Sequence, residues 1–171
     1  IMYDNLMNDF AFGNMELDDV YLDETNRRVT FNLRNIYGRL GKQLASEGKT
    51  EKAIAVLDRA EEKMPESKFA YDYFVFNIIE GYYQAGAKEK AKGMIDIFAT
   101  RLEGELAYYG QFKGSDRKMV QNEISAASSY FQMLVRLVNQ YENNNSQQIE
   151  TLQGNEIYQR YSKALQPFGR A

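Results

Sequence analysis

The 171-residue sequence contains no cysteine and no histidine. Their absence excludes disulfide bonds, cysteine nucleophiles, histidine-dependent catalytic triads and zinc sites built from nitrogen and sulfur ligands. Any catalysis would have to rely on carboxylates, lysine, tyrosine and hydroxyl groups. Carboxylates on helices usually lie on solvated faces. We predict no catalytic residue, no metal ligand and no cofactor site in this chain.

Proline is also scarce, with two residues in the whole sequence, and no run of basic residues is present. Low proline content favours long uninterrupted helices. Nucleic-acid binding needs a concentrated basic face, whereas this chain carries a net charge of -3, so we predict no nucleic-acid partner. No stretch of eighteen apolar residues occurs, and we predict no membrane-spanning segment in this chain.

Residues 1–22 lack helical periodicity but are rich in large apolar side chains. Phe10, Phe12 and Leu17 lie close in sequence to Gly13, which permits a tight turn. A disordered linker would contain fewer aromatic residues. We predict an ordered N-terminal arm on the surface of the following helices, with these three side chains substantially buried.

Between residues 23 and 168, apolar residues recur at intervals of three and four, which predicts six principal helices and no sheet. The pattern helix–glycine–helix occurs twice, with Gly48 and Gly86 at the turns. The distance in sequence between these two glycines is a period typical of stacked helical hairpins. Asp23 is a candidate N-cap for the first helix. The polar run at residues 143–146 indicates a loop. The expected helices cover residues 25–47, 50–64, 69–85, 88–109, 115–142 and 147–165.

The first hairpin carries a recognisable motif. It reads Tyr37-x2-Leu40-Gly41-x2-Leu44-x3-Gly48-x4-Ala53-x3-Leu57-x2-Ala60-x4-Pro65. This spacing resembles a tetratricopeptide repeat, in which small residues such as Gly41 and Ala53 allow the two helices to cross closely. The second hairpin keeps Tyr82, Gly86, Ala91 and Ile95, but Ile79 and Phe98 replace the family's small residues.

The resemblance implies an all-α fold, a tetratricopeptide-like right-handed superhelix of stacked helical hairpins with a long C-terminal helix pair. We expect a single domain over residues 1–171. It would comprise the arm (1–22), two tetratricopeptide-like hairpins (23–110) and a long C-terminal helical hairpin (115–168).

A second resemblance rests on four short phrases between residues 3 and 35. They are Tyr3-Asp4-Asn5-Leu6-Met7, Phe12-Gly13-Asn14-Met15, Val20-Tyr21-Leu22-Asp23-Glu24 and Asn32-Leu33-Arg34-Asn35. They are similar to a family of bacterial multi-spanning membrane proteins of poorly defined function, whose N-terminal half resembles protein O-mannosyltransferase-type glycosyltransferases. The resemblance implies that this chain is the C-terminal domain, in the periplasm and tethered to the inner membrane. The missing initial methionine fits a segment of a longer protein, and without this resemblance a cytoplasmic location stays open.

In tetratricopeptide proteins the first helix of each hairpin lines the ligand groove. Carried over to this sequence, the positions predict a groove of Asn35, Lys42, Tyr73, Phe76, Glu80 and Tyr83, together with Gly38 and Ala45. Its partner would be a protein or peptide segment, including the parent membrane domain, and its aromatic residues would also suit a sugar. The alternative is that these aromatic residues contact the arm or the long C-terminal helical hairpin and bind no external ligand.

Two classes of function follow from these observations. The first is a non-catalytic interaction or scaffolding domain, an accessory part of a membrane glycosyltransferase-like protein. The second is a carboxylate-dependent enzyme domain that acts on glycans, with Glu61, Glu62, Glu103 and Glu105 as candidates. A deep pocket that joins two carboxylates of raised pKa would favour the enzyme, whereas a shallow groove would favour the binding domain.

Overall fold

The computed structural model describes residues 1–142 and 155–169, and every regular element in those ranges is helical. This confirms the prediction of an all-α fold. The elements in chain order are α1 (Met2–Asp4), a π-helical turn (Asn5–Asp9), α2 (Glu24–Ser46), α3 (Thr50–Lys63), α4 (Val75–Gln84), α5 (Lys88–Tyr109), α6 (Gly114–Met119), α7 (Gln121–Glu142), α8 (Glu156–Leu165) and a 3-10 turn (Gln166–Phe168).

The chain divides into two compact units, and the boundary between Gly93 and Met94 falls within α5. Unit 1 contains α2, α3 and α4, which all pack against one another. Gly48 and Gly86 end the first helix of each predicted hairpin with φ angles of 74° and 76°. These left-handed conformations favour glycine and explain why the helices stop there.

Close helix packing in unit 1 depends on Leu57 of α3, which is fully buried. A β-carbon added at Gly41 of α2 would lie 2.7 Å from Leu57 Cγ, and one added at Gly81 of α4 would lie 3.0 Å from Leu57 Cδ1. Leu57 therefore fills space that both glycines leave open. The tight contact at Gly41 was predicted, but the nearest atoms belong to Leu57 rather than to Ala53.

The segment between α3 and α4 differs from the prediction. The third principal helix begins at Val75, whereas the apolar pattern predicted a start near Phe69. The reason is the buried Arg34, whose guanidinium donates to the carbonyl oxygens of Met64 at 3.0 Å, Phe69 at 2.8 Å and Ala70 at 3.2 Å. Carbonyls bound to Arg34 stabilise an irregular connection instead of an additional helical turn.

The N-terminal arm contacts α2 and α3 through a few polar and aromatic interactions. The Tyr37 hydroxyl donates to the Leu6 carbonyl oxygen at 2.7 Å, and Lys63 pairs with Glu16 at 2.6 Å. Phe12 is half-buried beside the Tyr37 ring. Phe10 and Leu17 are exposed, so the prediction of their burial was wrong. The contacts at Leu6 and Glu16 hold the arm on the helices without enclosing the side chains of Phe10 and Leu17.

Unit 2 is built on α7, whose buried residues include Ile124, Ala127, Phe131, Leu134 and Val138, as the sequence spacing predicted. The expected helix over 115–142 is divided into α6 and α7 at Val120. Helix α7 contacts α8. The predicted loop at 143–146 and the first part of the predicted last helix, up to residue 154, lie outside the described residues.

Candidate functional site

An open cleft lies along α2 and α4 in unit 1, with a volume of about 480 Å³. We call it the α2–α4 cleft. It is lined by Arg39, Lys42, Gln43, Ser46, Asn77 and Gln84. All six side chains are polar, and two of them are cationic. The chemistry of this surface suits hydrogen-bonding and acidic groups of a ligand.

The local sequence explains why this surface forms. Four of the lining residues of α2 (Arg39, Lys42, Gln43 and Ser46) follow the three- and four-residue spacing that places side chains on one helical face. Gly38 precedes them, and a β-carbon there would lie 2.7 Å from Asn77 Cβ. The absence of a side chain at Gly38 therefore allows α4 to approach α2 at the edge of the cleft.

A polar network connects the two helices across this contact. Lys42 Nζ donates to Asn77 Oδ1 at 3.3 Å and forms an ion pair with Glu80. Asn77 Nδ2 in turn donates to Asn35 Oδ1 at 3.1 Å. The structure thus brings together three of the predicted groove residues, Asn35, Lys42 and Glu80. Because Glu80 balances the charge of Lys42, this network leaves no excess charge in the cleft.

Arg39 is the cation of the cleft that lacks such a partner. Its side chain is exposed, and within the described ranges it forms no hydrogen bond or ion pair. By comparison, Gln43 donates to Glu47 at 2.9 Å and the Ser46 hydroxyl donates to the Gln43 carbonyl oxygen at 2.7 Å. The guanidinium of Arg39 is therefore the cation of the α2–α4 cleft that an anionic ligand group can reach without displacing an intramolecular partner.

The predicted aromatic part of the groove is corrected by the structure. Phe76 and Tyr83 retain only 6% and 5% of their surface, so neither presents an open ring to a ligand. Tyr73 is exposed but is not among the residues that line the cleft. The physical reason is that α4 is apolar on most of its sides, with seven of its ten residues buried. Its aromatic residues serve mainly as core.

The sequence reasoning missed five of the six residues that line the cleft, namely Arg39, Asn77, Gln43, Ser46 and Gln84. Arg39 could have been found from the sequence, because its spacing from Lys42 and Ser46 places all three side chains on one helical face. Asn77 gave no such signal, because its role depends on which face α4 turns toward α2.

The candidate carboxylates of the enzyme alternative all have partners within their own unit. The Tyr71 hydroxyl donates to Glu61, and burial raises the pKa of that carboxyl. Glu62 is exposed and pairs with Lys63 at 3.0 Å. Glu103 accepts from Arg160 at 2.8 Å, and Glu105 lies 3.6 Å from Arg101.

A second carboxyl of raised pKa is Asp72, where burial outweighs the opposite effect of the neighbouring Arg34. Arg34 donates to it at 3.3 Å. Neither Asp72 nor Glu61 lines the α2–α4 cleft. Within residues 1–142 and 155–169, no group of three acidic side chains is arranged to hold a metal ion.

Comparisons of the chain with protein-family models, with curated proteins and with solved structures found no match. None of the helices described is both long enough and apolar enough to cross a bilayer.

Proposed function

We propose that this chain is a non-catalytic protein-interaction domain whose α2–α4 cleft binds an extended, acidic segment of a partner protein. The observation that carries the proposal is the exposed Arg39 guanidinium, which has no intramolecular partner in the described structure and stands beside amide and hydroxyl groups. An extended peptide offers backbone groups to the amides and hydroxyls, and an acidic side chain offers a bidentate acceptor to arginine.

The sequence motif supports this location. In the tetratricopeptide-like arrangement that we propose, α2 and α4 are the first helices of consecutive hairpins, and their shared face corresponds to the family's ligand groove. Helices α2 and α4 do pack against each other, and Lys42 and Asn77 meet at that contact. The observed polar surface replaces the aromatic groove that the sequence predicted.

We also propose, on the resemblance of residues 3–35, that the chain is a periplasmic accessory domain of a membrane glycosyltransferase-like protein. The acidic partner segment would then belong to the parent membrane domain or to a protein that it presents for modification. The reading frame upstream of residue 1 tests this part directly, because it should encode multiple membrane spans.

Selection from a random displayed-peptide library tests the cleft. Peptides enriched on the wild-type chain should be rich in Asp and Glu, and the enrichment should disappear with Arg39→Glu. Arg136→Glu is the matched control, since Arg136 is an exposed arginine of α7. Enriched peptides without acidic residues, or the same peptides retained by Arg39→Glu, would contradict the proposed site. Failure to enrich any peptide would contradict peptide binding itself.

A further inference from the structure

The turn between α5 and α7 in unit 2 combines exposed apolar side chains with basic ones. We call this set the aromatic–basic tip and define it as Tyr108, Phe112, Lys113, Arg117, Lys118 and Met119. The residues come from the end of α5, the following loop and α6. None of them belongs to the α2–α4 cleft, so any role of the tip is independent of the proposed function.

Two of the three apolar members of the tip, Tyr108 and Met119, are exposed to solvent. Tyr108 is 57% exposed and Met119 is 80% exposed, while the ring of Phe112 lies 5.2 Å from that of Tyr108 and is half-buried. Helix α6 buries none of its six residues. These apolar side chains lie within twelve consecutive residues, and contiguous exposed apolar patches mark interaction surfaces.

The charge of the tip is opposite to that of the chain. Residues 108–119 contain three cations and one acid, Asp116, whereas the whole chain carries a net charge of -3. Glu105 and Glu123 flank this segment and lie close enough to act on Tyr109, and Glu105 pairs with Arg101. Lys113 and Lys118 form no ion pair in the described part of the chain, and Arg117 stacks on the Phe168 ring at 4.9 Å instead of pairing with a carboxylate. These cations are therefore available to an external anion.

The tip is held in place by the C-terminal turn of unit 2. A β-carbon added at Gly110 would lie 2.9 Å from Pro167 Cβ, so the chain after α5 packs closely on the 3-10 turn Gln166–Phe168. The contact between Arg117 and Phe168 fixes α6 to the same turn. Because the scaffold orders these residues in advance, binding would require little additional ordering.

We propose that the aromatic–basic tip docks on the surface of an anionic lipid bilayer. Tyrosine rings prefer the headgroup level of a bilayer, and apolar side chains such as those of Met119 and Phe112 gain by entering the boundary of the acyl chains. Lysine and arginine near an anionic membrane add electrostatic attraction.

Flotation of the purified chain with vesicles tests this proposal. Vesicles of phosphatidylcholine with phosphatidylglycerol should carry the protein upward, whereas vesicles of phosphatidylcholine alone should not, and added salt should release it. The double variant Lys113→Glu, Lys118→Glu should lower the partition coefficient at least about tenfold, since each cation near an anionic surface contributes roughly fivefold. Replacement of Tyr108 and Met119 by serine should lower it independently of salt.

The matched control is Lys88→Glu, Arg136→Glu, which changes the net charge equally at two exposed cations of α5 and α7 outside the tip. It should retain more binding than the tip variant. Circular dichroism should show that all variants fold, and the salt dependence of the wild type provides a test without any substitution. Equal loss in control and tip variants, absence of vesicle binding, or binding of soluble polyglutamate in place of vesicles would overturn the proposal.

Discussion

Gly41 of α2 faces Leu57 of α3 so closely that a β-carbon at Gly41 would lie 2.7 Å from Leu57 Cγ. Leu57 is fully buried and also abuts Gly81, so it has little room to move away. A larger residue at Gly41 must therefore displace one helix from the other.

The first prediction concerns this contact. Gly41→Leu should lower the free energy of unfolding by roughly 1–3 kcal/mol or more, because it overfills a packed crossing. Gly93→Ala is the control, since Gly93 lies in α5 with no atom within 4 Å of an added β-carbon. That variant should gain about 0.5–1 kcal/mol from helix propensity. Urea denaturation measures both, and a wild-type stability for Gly41→Leu would contradict the assigned crossing.

A second prediction concerns the buried Arg34. Arg34→Ala should lower the free energy of unfolding by about 3–5 kcal/mol, because it leaves buried carbonyl groups and Asp72 without their donor. Arg39→Ala on the same helix should change it by less than about 0.5 kcal/mol, since that side chain is exposed. Similar losses for both variants would show that Arg34 does not hold the segment between α3 and α4.

A third prediction concerns the pH dependence of stability. Burial raises the pKa of Glu61 above its ordinary value of 4.5. The hydrogen bond from Tyr71 and the charge of Arg34 oppose the shift, and Asp58 and Glu66 add to it. The folded protein therefore binds this proton more tightly than the unfolded chain. Protonation of Glu61 therefore contributes to the free energy of unfolding. This contribution is complete below pH 4.5 and is lost as the pH rises through the raised pKa.

Glu61→Gln removes this dependence, so its stability relative to the wild type should increase as the pH rises above 4.5. The slope should reach at most about 1.4 kcal/mol for each pH unit in that window. Glu62→Gln, at the exposed neighbouring position, measures the general effect of removing one negative charge. Denaturation curves at several pH values suffice, and a constant difference between Glu61→Gln and the wild type would rule out the shift.

The fourth prediction concerns the attachment of the arm. Tyr37→Phe removes the hydrogen bond to the Leu6 carbonyl oxygen and should cost about 0.5–1.5 kcal/mol. Limited proteolysis should then cleave residues 1–22 faster than in the wild type. Tyr73→Phe removes a hydroxyl from an exposed tyrosine and should leave the cleavage rate unchanged. An unchanged rate in Tyr37→Phe would show that this hydrogen bond does not hold the arm.

Sequence patterns predicted the part of the fold that depends on local spacing. Helices α2 and α3 begin and end close to the expected positions, Asp23 caps α2 by accepting from the Asn26 amide at 2.8 Å, and both turn glycines have positive φ. The segment before α4 was mispredicted because its conformation depends on Arg34, more than 30 positions earlier in the chain. Periodicity contains no information about such a partner.

The candidate site was predicted only in part for a related reason. Alignment to the repeat motif placed Ile79 at the small position of α4, whereas the residue that meets Leu57 is Gly81. Successive side chains on a helix point about 100° apart, so such a difference changes which residues face outward. Lys42, on the regular first hairpin, lines the α2–α4 cleft, whereas Phe76 and Tyr83, on the irregular second one, are buried.

The position of Leu57 between Gly41 and Gly81 makes three sites dependent on one another. An alanine at either glycine would be tolerated better if Leu57 were shortened at the same time, so the effects of such substitutions should not add. Among descendants of this sequence, the three positions should vary together, with a small residue on α3 wherever either glycine has been replaced. Covariation of this kind would identify the three-helix junction even where the rest of the sequence has diverged.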